Sequence, residues 1–444
     1  MFFVSKLNLS YNGQMLNTMR ILLMGLAFFP LVFISNLFFP YVFSKAFVIK
    51  AVLSLSTIFF TIHFIQSLDF REKIIAKFNV LKNNKIVLSI LAYFVIFTIG
   101  VILAKDKFLA FWGDVERAEG WVGILFFLLF FALTLLLFEK KHWLWFFRLS
   151  LITGLILFGH ILIQYLNGVE RPGSILDNPA LLATYLLFVI FSSLLVFYES
   201  KRERNKFWLW FSGAMIFLST IGIFITEVRG AILGLGIGIL AVLIYFIFRG
   251  GQSKLFNLLN LKWLSVTLIL LVFIFSGVFL ATRKAEIWQK VPGLDRVAQI
   301  SFEDQSTRSR INVAKISLNA INPVNAGITK FLFGYGWENF RLAWQKYYIA
   351  EKDFYDPAIY DRAHNKILDV LVMNGILGLL AYLVIWFFFF QTILKMNKFL
   401  PAIFLFFGVS FFAQNLVLFD HIASWLPFFA MLGFAIHLNH ESNQ

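Results

Sequence analysis

The chain has 444 residues, 60% of them hydrophobic and 14% charged, with a mean hydropathy of +0.80, which is too apolar for a water-soluble protein whose core must be wrapped in polar surface. A net charge of +15 could suit nucleic acid, but the Lys and Arg residues fall in small groups between apolar runs and form no basic domain, so no nucleic-acid partner is expected. With no cysteine there is neither a disulfide framework nor a thiolate metal site.

Apolar runs of membrane length recur near 21–43, 46–68, 86–104, 121–138, 143–163, 179–198, 208–226, 231–248, 263–281, 366–391, 399–418 and 422–437, which predicts an all-α polytopic membrane protein of about twelve transmembrane helices. The first run has no small-residue cleavage site and many runs follow it, so it reads as a retained span rather than a signal peptide. With the N-terminus inside, the short cytoplasmic connections collect Lys6, Arg20, the basic groups at 71–85, 140–141 and 201–206, Arg249, Lys254, Lys262, Lys395 and Lys398. The opposite short loops hold only Lys45, Lys105, Lys107, Arg117, Arg171 and Arg229. This asymmetry follows the positive-inside rule and predicts cytoplasmic termini in a multi-pass membrane protein.

Three parts follow from this pattern: spans one to nine over 1–281, a large outer loop over 282–363, and spans ten to twelve over 364–444. Within the loop, Ile311, Ala314, Leu318 and Ile321 recur at helical spacing opposite Arg308, Asn312, Lys315 and Asn319, predicting an amphipathic helix over 307–321. A second helical stretch over 338–350 sets Phe340, Trp344, Tyr347 and Tyr348 beside Arg341 and Lys346, a composition suited to the membrane interface.

Polar residues at the span ends fall into four clusters, all on the predicted outer face: DVERAEG at 114–120, RPGSILDNP at 171–179, TEVRGAILGL at 226–235, and TRSR (307–310), GYG (334–336) and RAHN (362–365) in the large loop. Arginine offers a rigid fork of donors that pairs bidentately with phosphate oxygens, so Arg117, Arg171, Arg229 and Arg310 are candidates for an anionic lipid headgroup. His364, where the large loop re-enters the membrane, could take a proton from an attacking hydroxyl. Each has a structural alternative. The arginines could be snorkelling anchors, Arg229 could simply pair with Glu227, and Asp361 or Asn365 could simply cap the tenth span. Gly230, Gly234 and Gly238 on one helix face suit close helix packing, GYG reads as a turn, and Trp112, Trp121, Trp143 and Trp425 read as belt residues. Lys50 within the second span could snorkel outward or join the basic cluster.

These clusters resemble the O-antigen ligase and polymerase superfamily of bacterial envelope glycosyltransferases over roughly 110–390. The likeness rests on VRGAILGL at 228–235, on TRSR and LFGYGWENF, and above all on AHNKILDVLVMNGILGLLAYL at 363–383, a His-Asn pair leading into a helix with Gly375 and Gly378. DNPALLATYL resembles the family's Asn-Pro-Asn element with Ala180 in place of the second Asn, and Glu227 and Val228 replace the commoner Ser before the Arg. The resemblance implies transfer of a glycan from a polyprenyl pyrophosphate carrier to an acceptor hydroxyl at the periplasmic membrane face, with no metal or other cofactor. Arg171, Arg229 and Arg310 would hold the pyrophosphate, with Arg117 as a further candidate; His364 would be the base, and Asn365, Glu227 and Gly230 would support it. Repeat-unit polymerase and protein O-oligosaccharyltransferase are sibling activities. A twelve-span transporter is the alternative of another class, but it would place charges near the midplane and show paired half-repeats.

Overall fold

The computed structural model describes residues 2–249, 254–255, 259–348, 359–397 and 399–441, so Lys398 and the end of the expected 338–350 helix lie outside the described residues. The helices, in chain order, are α1 (Phe2–Gly25), α2 (Phe43–Gln66), α3 (Leu68–Leu81), α4 (Lys85–Ile102), α5 (Lys107–Trp112), α6 (Trp121–Leu137), α7 (Lys140–Leu166), α8 (Pro179–Glu203), α9 (Lys206–Ile225) and α10 (Arg229–Arg249). They continue as α11 (Leu261–Thr282), α12 (Glu286–Gln289), α13 (Leu294–Ala298), α14 (Gln305–Ile321), α15 (Pro323–Ala326), α16 (Ile328–Phe333), α17 (Phe340–Tyr347), α18 (Lys366–Ile393), α19 (Leu400–Asn415) and α20 (Ile422–Glu441). A pair of two-residue antiparallel strands, Lys254–Leu255 and Leu259–Asn260, precedes α11.

The architecture is all-α. Among the described residues, ten helices are long and apolar enough to cross a membrane, and the two remaining expected spans coincide with the shorter apolar helices α6 and α19. Burial separates the bundle into layers. α8 and α20 are enclosed almost all round, whereas α11 and α2 are left largely uncovered by protein, as expected for helices whose other neighbours are lipid. Aromatic rings fill the centre: Phe191 stacks on Phe407 at 4.9 Å and packs edge-on to Phe404 at 5.3 Å.

Four details depart from the periodicity. The first span lies earlier than 21–43, over Gly13–Leu31, because α1 tightens into a 3-10 turn over Leu26–Leu31 that contains Pro30; proline supplies no N–H and ends the helical ladder. In α14 the buried residues are Ser309, Asn312, Val313, Ile316, Ser317, Ala320 and Ile321, while Ile311 and Leu318 stay exposed. The buried face is therefore rotated from the expected one, of which Ile321 is buried, and α14 packs against α17 and α18. In α17, Phe340 and Trp344 are buried against the protein instead of lying at the interface. Trp143 and Trp425 are core residues, and Trp112 is exposed.

α18 is not one continuous helix. Gly375 has φ 69° and ψ −174° and interrupts it, so the carbonyls of Val372 and Met373 lose their helical partners. The GYG loop supplies replacements: Tyr335 N–H donates to the Val372 carbonyl and Gly336 N–H to the Met373 carbonyl, both at 2.9 Å. Gly334 is required there, since its φ is +74° and a Cβ would lie 2.4 Å from the Met373 backbone.

Candidate active site

The helix ends that carry the four polar clusters meet at one end of the bundle. Asn178 caps α8 by accepting from Ala180 N–H at 2.8 Å, with Pro179 in the first turn. The turn between α9 and α10 bends through Glu227 at φ +54°, which starts α10 at Arg229. Gly230 lets α10 press against α19, where a Cβ would sit 2.5 Å from Val417 Cγ2. Gly234 and Gly238 extend the same close packing against Ser410, so the glycine stripe serves helix packing.

Between these ends lies a cavity of about 190 Å³ lined by Arg171, Glu227, Arg229, Arg296, Arg310 and Gln414, among others. Three of the four expected arginines therefore converge, from segments spread over 171–310. Arg229 does not pair with Glu227. Its Nη1 donates to Asp304 Oδ2 at 3.0 Å, and its buried Nε has no partner. Among the described residues, Arg171, Arg296 and Arg310 form no ion pair. Burial lowers the pKa of Arg171, and the nearby Arg296 and Arg229 lower it further; burial and Arg229 do the same for Arg310. Burial and the neighbouring Asp295 raise the Glu227 carboxyl. Four arginines against one carboxylate, Glu227, in the lining favour an incoming anion.

His364 stands beside this cavity. Its backbone is left-handed, with φ +49°, and its ring lies edge-on between Tyr360 at 5.5 Å and Phe419 at 5.2 Å. Trp344 packs behind Tyr360 at 4.8 Å, so a file of aromatic rings fixes the imidazole. Burial first, and then Arg310, lowers the His364 pKa below its usual value. The two neighbours of His364 in the clusters have structural tasks: Asn365 caps α18 by accepting from Leu368 N–H at 3.1 Å, and Asp361 pairs with Arg117.

Arg117 does not enter the arginine cavity. It pairs with Asp361, lies 3.8 Å from Glu338, and holds its guanidinium 5.7 Å from the Phe419 ring. Around it is a buried charge network in which Arg362 pairs with Glu338 and Lys366 with Asp420. Lys366 Nζ is caged by Trp425 at 4.6 Å, Trp337 at 5.0 Å and Tyr382 at 5.4 Å. Glu119 is buried with both carboxylate oxygens unpartnered, and burial pushes its pKa up to about 8. Lys50 joins this region: its Nζ donates to the Ala118 carbonyl at 2.9 Å.

Backbone strain marks the same place. Of the non-glycine residues with positive φ among those described, Ala118, Ser174, Asp177, Glu227, Glu338 and His364 all belong to the segments at this end of the bundle, and Arg204 alone lies elsewhere. Such conformations cost about 1–3 kcal/mol each and persist where the surrounding structure enforces them.

Residues 214–383 match the family model described as O-antigen ligase. This stretch belongs to the O-antigen ligase superfamily. It contains Arg229, Arg296, Arg310, GYG, His364 and the Gly375 break, while Arg117 and Arg171 lie before it. The family is one of glycosyltransferase-type enzymes acting on glycan and lipid-linked substrates. No curated protein matches the chain. Sequence reasoning missed Arg296, Asp304 and the Lys366–Asp420 pair. Arg296 lies in a five-residue helix inside a long loop, whose basic residues carry no topological signal.

Proposed function

We propose that the protein transfers a glycan from a polyprenyl pyrophosphate carrier to an acceptor hydroxyl at the periplasmic face of the inner membrane. The observation that carries this reading is the convergence of Arg171, Arg229, Arg296 and Arg310 on one cavity at a single end of the bundle. The acceptor oxygen attacks the anomeric carbon, the bond from that carbon to the phosphate oxygen breaks, and the pyrophosphate leaves with the bonding electrons. Guanidinium groups fixed around the departing oxygens stabilise charge as it develops, and they do so more strongly in a partly dry site than in water.

The acceptor proton passes to His364. Its lowered pKa keeps the imidazole neutral, and so able to accept, at and somewhat below neutral pH. Arg117 anchors the segment that carries His364 through Asp361, which makes it a positioning residue rather than a phosphate ligand. The break in α18 resembles the discontinuous helices of transporters, but the GYG loop occupies its freed carbonyls, so the break fixes the loop and leaves no vacant ion site.

The test is mass spectrometry of envelope glycans and lipid-linked intermediates in a deletion strain. Polymer accumulating on the carrier identifies a ligase, single repeat units identify a polymerase, and an unchanged lipid-linked pool would falsify the proposal. A reporter fused near residue 330 should be translocated; cytoplasmic reporter activity there overturns the orientation.

A further inference from the structure

Toward the opposite end of the bundle, α8, α9, α10 and α19 enclose a second cavity, of about 460 Å³. Its wall is almost wholly aliphatic and aromatic, with Ile190, Leu235, Val242, Phe246 and Phe406 along its length, and Lys201 is the one lining residue that carries a full charge. The α10 residues of the wall run from Leu235 to Phe246, about 16 Å at the helical rise of roughly 1.5 Å per residue. That is close to half of a hydrocarbon core about 30 Å thick. The cavity therefore has the depth of one leaflet, from the bilayer centre to the face at which α8 and α10 end in Lys201, Arg202 and Arg249.

It is separate from the arginine cavity. Gln414 Nε2 donates to Thr184 Oγ1 at 2.7 Å between α19 and α8, and Gly234 and Gly238 of α10 lie against Ser410 of α19. These contacts close the way between the two, so a chain whose headgroup sits among the arginines does not reach this cavity through the protein. An apolar bore one leaflet deep, with a cationic rim and no acidic lining residue, fits a lipid chain whose own headgroup is anionic.

We propose that this cavity binds one acyl chain of an anionic glycerophospholipid drawn from the leaflet opposite the arginine cavity, with its phosphate at the Lys201 end. The occupant braces α8, α9, α10 and α19 from below, and α8, α10 and α19 carry cavity-lining residues at their other ends.

The test uses the full chain purified in mild detergent, delipidated, and titrated with equimolar phosphatidylglycerol and phosphatidylcholine before native mass spectrometry. One retained phosphatidylglycerol per chain is expected. Val242→Trp and Ile403→Trp, which fill the bore, should abolish retention while keeping the gel-filtration profile of the parent. Lys201→Gln, at the rim, should keep the bound lipid but reduce the preference for phosphatidylglycerol roughly fivefold, the factor for about 1 kcal/mol per surface lysine. Equal retention by the folded bore-filled variants overturns the proposal. So does an unchanged preference in Lys201→Gln, or displacement of the phospholipid by polyprenyl phosphate. Should both tryptophan variants fail to fold, the Lys201→Gln preference and the polyprenyl phosphate competition decide it.

Discussion

The Tyr335 N–H donates to the Val372 carbonyl across 2.9 Å, joining the large loop to carbonyls that the break in α18 sets free. The loop is thereby part of the helical ladder. α16 ends at Gly334, the chain crosses the break at Gly375, and Trp337 continues inward to donate from Nε1 to the Glu119 carbonyl at 2.7 Å.

Substitutions at two loop glycines separate backbone strain from collision. Gly327 and Gly334 both have positive φ, +84° and +74°, but a Cβ at Gly327 meets nothing within 4 Å whereas one at Gly334 lies 2.4 Å from Met373. Gly327→Ala should cost about 1–2 kcal/mol from conformation alone. Gly334→Ala should cost several times that and undock the loop. Thermal unfolding in detergent, followed by tryptophan fluorescence, compares the two.

The arginines should divide into two classes. Arg229→Ala and Arg310→Ala are expected to lower kcat roughly 10²–10³-fold, as for loss of one preorganised donor to a developing anion, with little change in melting temperature for Arg310→Ala and a modest drop for Arg229→Ala, which strips the partner from Asp304. Arg117→Ala should behave in the opposite order, losing stability first, because it strips the partner from Asp361 and weakens the buried setting of Glu338. Parallel transfer assays and melting curves on the three variants check this.

The pH profile follows from His364. Its pKa is lowered in the folded protein, so the neutral base persists below the ordinary histidine value near 6.5. Transfer should rise with pH through a midpoint below 6.5 and level off above it. For stability, the unfolded chain binds the proton more readily, so His364 makes folding less favourable as pH falls through 6.5. Arg310→Gln removes a cation that disfavours protonation, so the midpoint of the residual activity should move up toward 6.5. A kcat profile from pH 5 to 8 for both proteins tests it; an unmoved midpoint counts against coupling of the two side chains.

Lys366 is a structural charge. Lys366→Met leaves Asp420 buried without its cationic partner, a loss on the order of 3–5 kcal/mol. Adding Asp420→Asn removes the stranded charge and should restore part of that stability. A double-mutant cycle in melting temperature reads the coupling.

What the sequence by itself determined was the solvent of each segment and the position of its polar groups at the span ends, since hydropathy over a span and charge between spans are local properties. It also singled out Arg171, Arg229, Arg310 and His364, because they fall in polar clusters at the span ends and in motifs that resemble those of the family. The tertiary structure decided which of these act together. Arg117 looks the same in sequence as Arg171, yet it pairs with Asp361, 244 positions away, while Arg296 arrives from a short helix in the loop. The buried face of α14 was likewise settled by its neighbours α17 and α18, since Val313, Ile316 and Ile321 are buried while the equally apolar Ile311 and Leu318 stay exposed. Each of these outcomes depends on contacts between segments distant in the chain, and no local pattern of hydrophobicity or charge encodes which segment a side chain will meet.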